Sequence, residues 1–451
     1  MERKLFGTDG IRGRANKYPM TNEMALKIGK AVAKYFHKDP NHRPRIVVGK
    51  DTRRSGYLLE HAITSGIVSM GGKPLLTGPI PTPAVAHLVK SLNADAAIMI
   101  TASHNPFPDN GIKIFGADGH KLPDEDELKI EKMILEDELD TSEIRGSDIG
   151  FTVRIDHAKG RYIEYLKNCV NNKSLRRLRI VVDCANGAAS SSALFVFREL
   201  GCDVIVLNNK PTGMNINEEC GALHPEVVQA AVLGHGADIG LALDGDADRA
   251  IFVDEKGNVI DGDKIMAVCA LALQKKGKLN KNTVVATVMS NLGFENYLKE
   301  KGIMVVRTGV GDRYVLEEMR KNGYNFGGEQ SGHIIFYDHS TTGDGLLTGL
   351  KVLCIMHEEK KKLSELVVDI PTYPQILVNI KVKEKKDFKE IPGLSEKILE
   401  TEEKLGKDGR LLLRYSGTEN LARVMIEGKD ESQVKELANE IAEIIKREIG
   451  E

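Results

Sequence analysis

Residues 45–56 read RIVVGKDTRRSG: a short β-branched run, a polar turn, then the opening of a helix-like stretch. The chain continues after a glycine pair into a second apolar run, MGGKPLLTG. A strand, a helix and a strand restarted after glycine form the βαβ pattern of a sheet with parallel strands. The outline recurs twice. RIVVDCANGAAS (179–190) leads to LGCDVIVLN, and TVVATVMSNLGF (283–294) leads to KGIMVVRTG. Three copies predict three related α/β domains.

The tail is built differently. ILVNIKVK (376–383) alternates as a strand with one exposed face should. RLLLRYS and ARVMIEG follow as two further strands. Val434, Leu437, Ala438, Ile441 and Ile445 then share one helical face. A small α+β domain is predicted there. PTYP (371–374) reads as a hinge before it, since two prolines interrupt both helix and sheet. The expected division is 1–150, 151–255, 256–370 and 371–451.

The 451 residues carry 41% apolar and 28% charged side chains, so each domain can bury an ordinary core. A formal net charge of −2 argues against nucleic-acid binding by bulk charge. Six cysteines are scattered without a CxxC pair, which points to reduced core thiols rather than a zinc knuckle or redox dithiol. The start, MERKLFGTDG, is charged and lacks an apolar leader core, and no apolar run spans a bilayer. A cytoplasmic protein is expected, with no membrane or nucleic-acid partner.

Six stretches carry chemistry. TASHNP (101–106) ends the apolar run AAIMI on Ser103, with Lys113 ten residues on. A serine on such a loop can be a nucleophile or a phosphate carrier, and no GxSxG elbow surrounds it. DGDADR (244–249) sets Asp244, Asp246 and Asp248 at alternate positions after an apolar strand. Three carboxylates so placed repel unless a cation sits among them, and all-oxygen ligation suits Mg²⁺ or Ca²⁺. A calcium loop is rejected. Its sixth position needs glycine and holds Arg249, and the flanks read as strands.

GGEQSGH (327–333) offers Glu329, Ser331 and His333, a mixture suited to sugar hydroxyls. RYSGTEN (414–420) offers Arg414, Ser416, Gly417 and Thr418 as a phosphate cradle, with Arg423 as a second fork. FGTDGIRG (6–13) supplies Arg12, and GVGDR (309–313) supplies Arg313 more weakly. Arg249, Lys113, Arg12 and Arg313 are expected to offset the acidic turn. A lysine crowded by cations could have a lowered pKa and act as a base.

The order FGTDGIRG, TASHNP, DGDADR, GEQSGH, RYSGTEN resembles the α-D-phosphohexomutase superfamily over essentially the whole chain. With GMNINEECGALHPE (213–226) and TTGDGLLTGL (341–350), the likeness is to members that act on glucosamine phosphates. It implies three α/β domains and a smaller fourth around a central cleft, interconverting glucosamine 6-phosphate and glucosamine 1-phosphate. Ser103 would be the phosphoserine, and Asp244, Asp246 and Asp248 would hold one Mg²⁺ with its phosphate. Glu329 and Ser331 would grip sugar hydroxyls. Arg414, Ser416, Gly417 and Thr418 would hold the phosphate that is not reacting. Lys113, His333, Arg12 and Arg249 would supply acid–base chemistry and charge. A sugar 1,6-bisphosphate would prime the serine, and a homodimer is hinted at. Tyr415 and Asn420 stand where the family often has proline, which predicts a looser loop before ligand binds. The alternatives are a phosphomannomutase or phosphoglucomutase of the same superfamily, a metal-dependent phosphatase, or a silent sugar-phosphate sensor.

Overall fold

The structure is a computed structural model and describes residues 4–7, 9–39, 41–416 and 420–451. By backbone contacts it separates into two units. The first comprises Met1–Val288 with Val306–Val367, and the second Met289–Val305 with Val368–Glu451.

The first unit begins with six strands: β1 (Ile11–Arg14), β2 (Arg45–Lys50), β3 (Lys73–Pro79), β4 (Ala96–Ile100), β5 (Asp109–Gly116) and β6 (Val153–Arg154). They form one sheet in the order β1-β5-β4-β2-β3-β6. Every residue of β4 is buried, as expected of a central strand covered on both faces. Next come β7 (Arg179–Asp183), β8 (Asp203–Leu207), β9 (Ile239–Leu243), β10 (Ala250–Asp254) and β11 (Val259–Ile260), ordered β11-β10-β9-β7-β8. The third sheet holds β12 (Thr283–Thr287), β13 (Met304–Thr308), β14 (Phe326–Gly328) and β15 (Ile334–Phe336), ordered β13-β12-β14-β15.

One plan underlies all three sheets. β2 lies parallel to both β3 and β4, and β4 turns back into antiparallel β5. β7 lies parallel to β8 and β9, and β9 turns back into β10. β12 lies parallel to β14, which turns back into β15. The repeats read from sequence are therefore real, and each sheet adds an antiparallel strand to the parallel ones expected, which makes it mixed. In each copy the third parallel strand is followed by a loop and an antiparallel return. Those three loops carry TASHNP, DGDADR and GEQSGH.

The second unit contains β16 (Gln375–Lys381), β17 (Gly409–Tyr415) and β18 (Leu421–Gly428), an antiparallel sheet ordered β16-β18-β17. Helix Glu431–Ile449 packs Val434, Leu437, Ile441 and Ile445 onto Val424 and Ile426. PTYP begins three residues past the start of this unit's second segment at Val368. Asn291 ties down Tyr373 by accepting from its N–H and donating to its carbonyl, both at 2.9 Å. The division between the units falls at Val367–Val368. Among the described residues, no helix is long and apolar enough to cross a membrane.

Candidate active site

The loop after β4 places Ser103 at φ +51°, in the left-handed region that a residue with a side chain enters at a penalty. Its hydroxyl is buried and donates to Asp244 Oδ2 at 2.6 Å, across 141 residues of chain. The loops of the first and second sheets thus meet at one hydrogen bond.

Asp244, Asp246 and Asp248 are all buried, with oxygens within 4.8 Å of one another. Ala247 adopts φ +57° between them, which curls the turn. Thr82 donates to Asp246 Oδ2 at 2.6 Å. Asp246 Oδ1 and Asp248 Oδ1 are buried with no hydrogen-bond partner. Burial, then the charges of Asp248 and Asp246, pushes Asp244 well above the usual carboxylate range. Left alone, three such carboxylates are unfavourable.

Cations close in from the first sheet. Lys113, on β5, reaches Asp246 at 3.2 Å, Asp9 at 3.3 Å and Asp248 at 3.4 Å. Burial opposes its charge, but Asp246, Asp9 and Asp248 outweigh burial and hold the amine protonated. This reverses the sequence expectation of a lowered pKa: its nearest charged partners are carboxylates. Arg12 pairs with Asp9, and Lys121 links Asp9 to Asp312. Arg249 sits 3.8 Å from Asp248.

Arg313 does not join the cluster. It pairs with Asp124, Glu127 and Glu317 and donates to the Leu122 carbonyl, fastening helix Asp312–Asn322 to the first sheet's acidic helix. Its neighbour Asp312 is the member of GVGDR that reaches the site.

The loop between β14 and β15 closes the group. Gly332 has φ +88°, and a Cβ there would lie 2.3 Å from the Ala250 carbonyl, so the loop presses directly on the start of β10. His333 lies between Asp248 at 3.6 Å and Asp312 at 3.5 Å. Burial opposes charge on its ring, but Asp248 and Asp312 make the net pull upward. The Gly343 N–H donates to Nε2 at 2.9 Å, which uses that lone pair and leaves the ring proton on Nδ1, facing Asp248. Glu329 accepts from the Gly311 N–H at 3.2 Å, and Ser331 lies 3.5 Å from Glu329.

Among the described residues, the carboxylates of Asp9, Asp244, Asp246, Asp248, Asp312 and Glu329 face Arg12, Lys113, Lys121 and Arg249. Were all six carboxylates ionised and His333 neutral, two negative charges would lack a partner, and Asp244 answers that excess by tending to hold its proton. With two unsatisfied buried oxygens and only oxygen donors, the residues fit a hard divalent cation.

The second unit carries its own cluster. Arg414 and Arg423 are direct cross-strand partners on β17 and β18. Burial and then Arg423 lower the Arg414 guanidinium's hold on its proton. Like charges opposed across a ladder repel, and here the pair stands beside the loop expected to cradle a phosphate. Ser416 is buried, and its carbonyl accepts from Lys385 at 2.7 Å. Gly417 and Thr418 lie outside the described residues. Tyr415, in place of a family proline, stacks on Phe388 at 4.4 Å and donates to the Lys386 carbonyl. That stack supplies a restraint at Tyr415 which the substitution of proline was expected to remove.

Sequence reasoning missed Asp9, Lys121 and Asp312, whose mutual pairing no local spacing signals. It quoted His104 without a role. That ring lies 3.4 Å from Ser103 Oγ, and burial with Arg249 and Arg12 pushes it down to about 4, so it is neutral near pH 7.

A buried serine hydroxyl on an acidic nest, ringed by cations and a polar loop, is an arrangement suited to phosphoryl transfer, and it stands on a fold of three repeated α/β sheets. The chain belongs to the phosphoglucomutase/phosphomannomutase family, the α-D-phosphohexomutases. Its α/β/α domains I, II and III match residues 3–141, 160–257 and 261–373, and its C-terminal domain matches 377–444. Within that family the chain is 55% identical to the phosphoglucosamine mutase of Citrifermentans bemidjiense, over 99% of each chain. It is 53% identical to that of Syntrophotalea carbinolica, over 100% of this chain and 99% of the relative. Among solved structures, a phosphoglucomutase/phosphomannomutase family protein of Burkholderia thailandensis shares the fold, with a TM-score of 0.81. Identity there is 24%, over 98% of this chain and 97% of that one. The Aspergillus fumigatus N-acetylphosphoglucosamine mutase, solved with GlcNAc-6P and magnesium, superposes with a TM-score of 0.69. Identity there is 19%, over 99% and 96% of the two chains.

Proposed function

We propose that this enzyme interconverts glucosamine 6-phosphate and glucosamine 1-phosphate through a phosphoserine at Ser103. The observation that carries the reading is the Ser103 hydroxyl seated 2.6 Å from Asp244 within the three-aspartate nest. The phosphoserine P–O bond breaks as a bond forms to the free hydroxyl of the bound monophosphate. Lys113, held protonated by its carboxylate neighbours, gives a proton to the departing serine oxygen and recovers one from the sugar hydroxyl. The sugar 1,6-bisphosphate then turns end for end, and its other phosphoryl group returns to Ser103. Arg12 and Arg249 balance the transferring charge. Against the cost of burial, Lys113 and then His333, 3.6 Å away, favour the charged form of Asp248.

Asp244, Asp246 and Asp248, with the serine phosphate, would hold Mg²⁺, which when bound neutralises the transferring group. Glu329 and Ser331 hold sugar hydroxyls. Arg414, Ser416, Gly417, Thr418 and Arg423 hold the phosphate that is not reacting, as the motif match and the opposed arginines support. A sugar 1,6-bisphosphate serves as activator by loading the serine. Six unpaired thiols, five of them buried, support a reducing cytoplasm.

Parallel assays with glucosamine, glucose and mannose 6-phosphates test the reading. Fastest turnover of the amino sugar is expected. Preference for glucose or mannose 6-phosphate would transfer the assignment to the alternative mutases, and free phosphate outrunning isomer would indicate a phosphatase.

A further inference from the structure

The proposed reaction asks Ser103 to present its oxygen in one orientation through two transfers, while its backbone sits in the left-handed region. The structure assigns the holding of that orientation to Arg53 and Asn217, positioning residues that touch only the backbone of the serine loop. This inference rests on the phosphoserine reading above.

Arg53 is fully buried at the start of helix Arg54–Ser69. Nη2 donates to the carbonyls of Ser103 at 3.0 Å and Asn105 at 2.7 Å. Nη1 donates to those of Pro106 and Asp109, the latter at 3.1 Å. Nε donates to Asp51 Oδ2 at 2.9 Å, so the fork is itself fixed. One guanidinium therefore gathers four carbonyls of a seven-residue turn, a pattern that no ammonium can reproduce from one position.

Asn217 approaches from the second repeat. Its Nδ2 donates to the Ser103 carbonyl at 2.9 Å and to that of Asn105 at 3.0 Å. The other side of the serine is held as well. Its N–H donates to Thr101 Oγ1 at 2.9 Å, and that hydroxyl donates to Asp51 Oδ2 at 2.7 Å. Both peptide groups of Ser103 are thus fastened, and Asp51 ties the two fastenings together. Gly245 of the acidic turn packs against the same point. A Cβ there would lie 2.6 Å from the Ser103 carbonyl and 2.9 Å from Asn217 Nδ2. The clamp and the acidic nest are therefore in contact, and a shift in the loop moves the serine oxygen relative to Asp244. Within the serine loop, neither clamp residue is within hydrogen-bond reach of the hydroxyl itself, so each acts through geometry.

The test uses N217A and R53K in the full chain, with glucosamine 6-phosphate and Mg²⁺. In N217A, kcat is expected to fall at least tenfold, and in R53K further. KM and the Mg²⁺ concentration for half-maximal activity should stay within threefold of wild type. In parallel, glucose 1,6-bisphosphate should load Ser103 at least tenfold more slowly in N217A, read by intact mass. A kcat and loading rate within twofold of wild type would overturn the inference. So would a loss matched by a higher Mg²⁺ requirement, which places the damage in the aspartates. Asn217 is half-buried and holds φ +58°, where alanine adds backbone strain, so N217G, which permits that backbone and likewise lacks the amide, must show the same loss, and a wild-type rate in N217G would overturn the inference. Wild type failing on all three sugar phosphates refutes the function, while the loading assay still decides the clamp.

Discussion

At the scale of single residues, the chemistry is concentrated in one hydroxyl. Ser103 is buried, strained in its backbone and aimed at a carboxylate. A serine serving as a helix cap or turn former has no use for that combination. Ser103→Ala removes the oxygen without altering the carbonyl that Arg53 holds. Turnover is expected to vanish while glucosamine 6-phosphate still binds within about threefold of wild type, measured by calorimetry, since a nucleophile contributes to the reaction more than to ground-state affinity. Arg414 belongs to the opposite class. Arg414→Ala should raise KM for either monophosphate roughly 10–100-fold, the consequence of losing a charge-assisted bond to an anion, with a smaller change in kcat. An unchanged KM would remove Arg414 from the phosphate cradle.

At the scale of elements, the same position in three repeats does three tasks. The return loop after the third parallel strand carries the serine, then the aspartates, then Glu329. Gly332 shows how tightly the third loop is set. Gly332→Ala forces a side chain into a left-handed backbone and against the Ala250 carbonyl, so a loss of roughly 2–4 kcal/mol is expected by chemical denaturation, with a higher KM. The helix Thr82–Ser91 offers a pH test away from the site. Burial, then Lys90 and Arg161, pushes His87 down to about 4. Its neutral form is favoured only in the fold, so its stability contribution is complete above about pH 6.5 and is lost as pH falls toward 4, at up to about 1.4 kcal/mol per pH unit. His87→Phe, which can keep the stack on Tyr165, should flatten that part of the stability profile. The repeats, the tail sheet and each motif were legible because each is contiguous or periodic. The Arg53 clamp was not, although RIVVGKDTRRSG was read: its partners lie about 50 residues away, and nothing local marks an arginine that serves carbonyls. Lys113 was found, but the direction of its pKa shift was not, because that depends on Asp9 and Asp248 closing around it.

At the scale of the whole molecule, the division into two units makes metal binding readable as stability. The three aspartates, Ser103, Lys113 and His333 all fall in the unit of about 350 residues formed by Met1–Val288 and Val306–Val367. The other unit has its own core, built on helix Glu431–Ile449 and the three-stranded sheet. Chains of this kind depart from two-state unfolding, so two calorimetric transitions are expected. A divalent ion that relieves the repulsion among Asp244, Asp246 and Asp248 binds the native first unit and not its unfolded chain. At about a hundredfold excess over Kd, that linkage adds roughly 2.7 kcal/mol. Spread over the unfolding entropy of about 350 residues, it raises one transition by roughly 3–4 °C and leaves the other in place. EDTA should reverse the rise and abolish turnover together, and added Mg²⁺ should restore both. Asp244→Asn removes a carboxylate from the nest, so the variant should respond less to Mg²⁺ than wild type does. A Mg²⁺ shift of equal size in wild type and in this variant would place the ion elsewhere and leave the three aspartates without their proposed role.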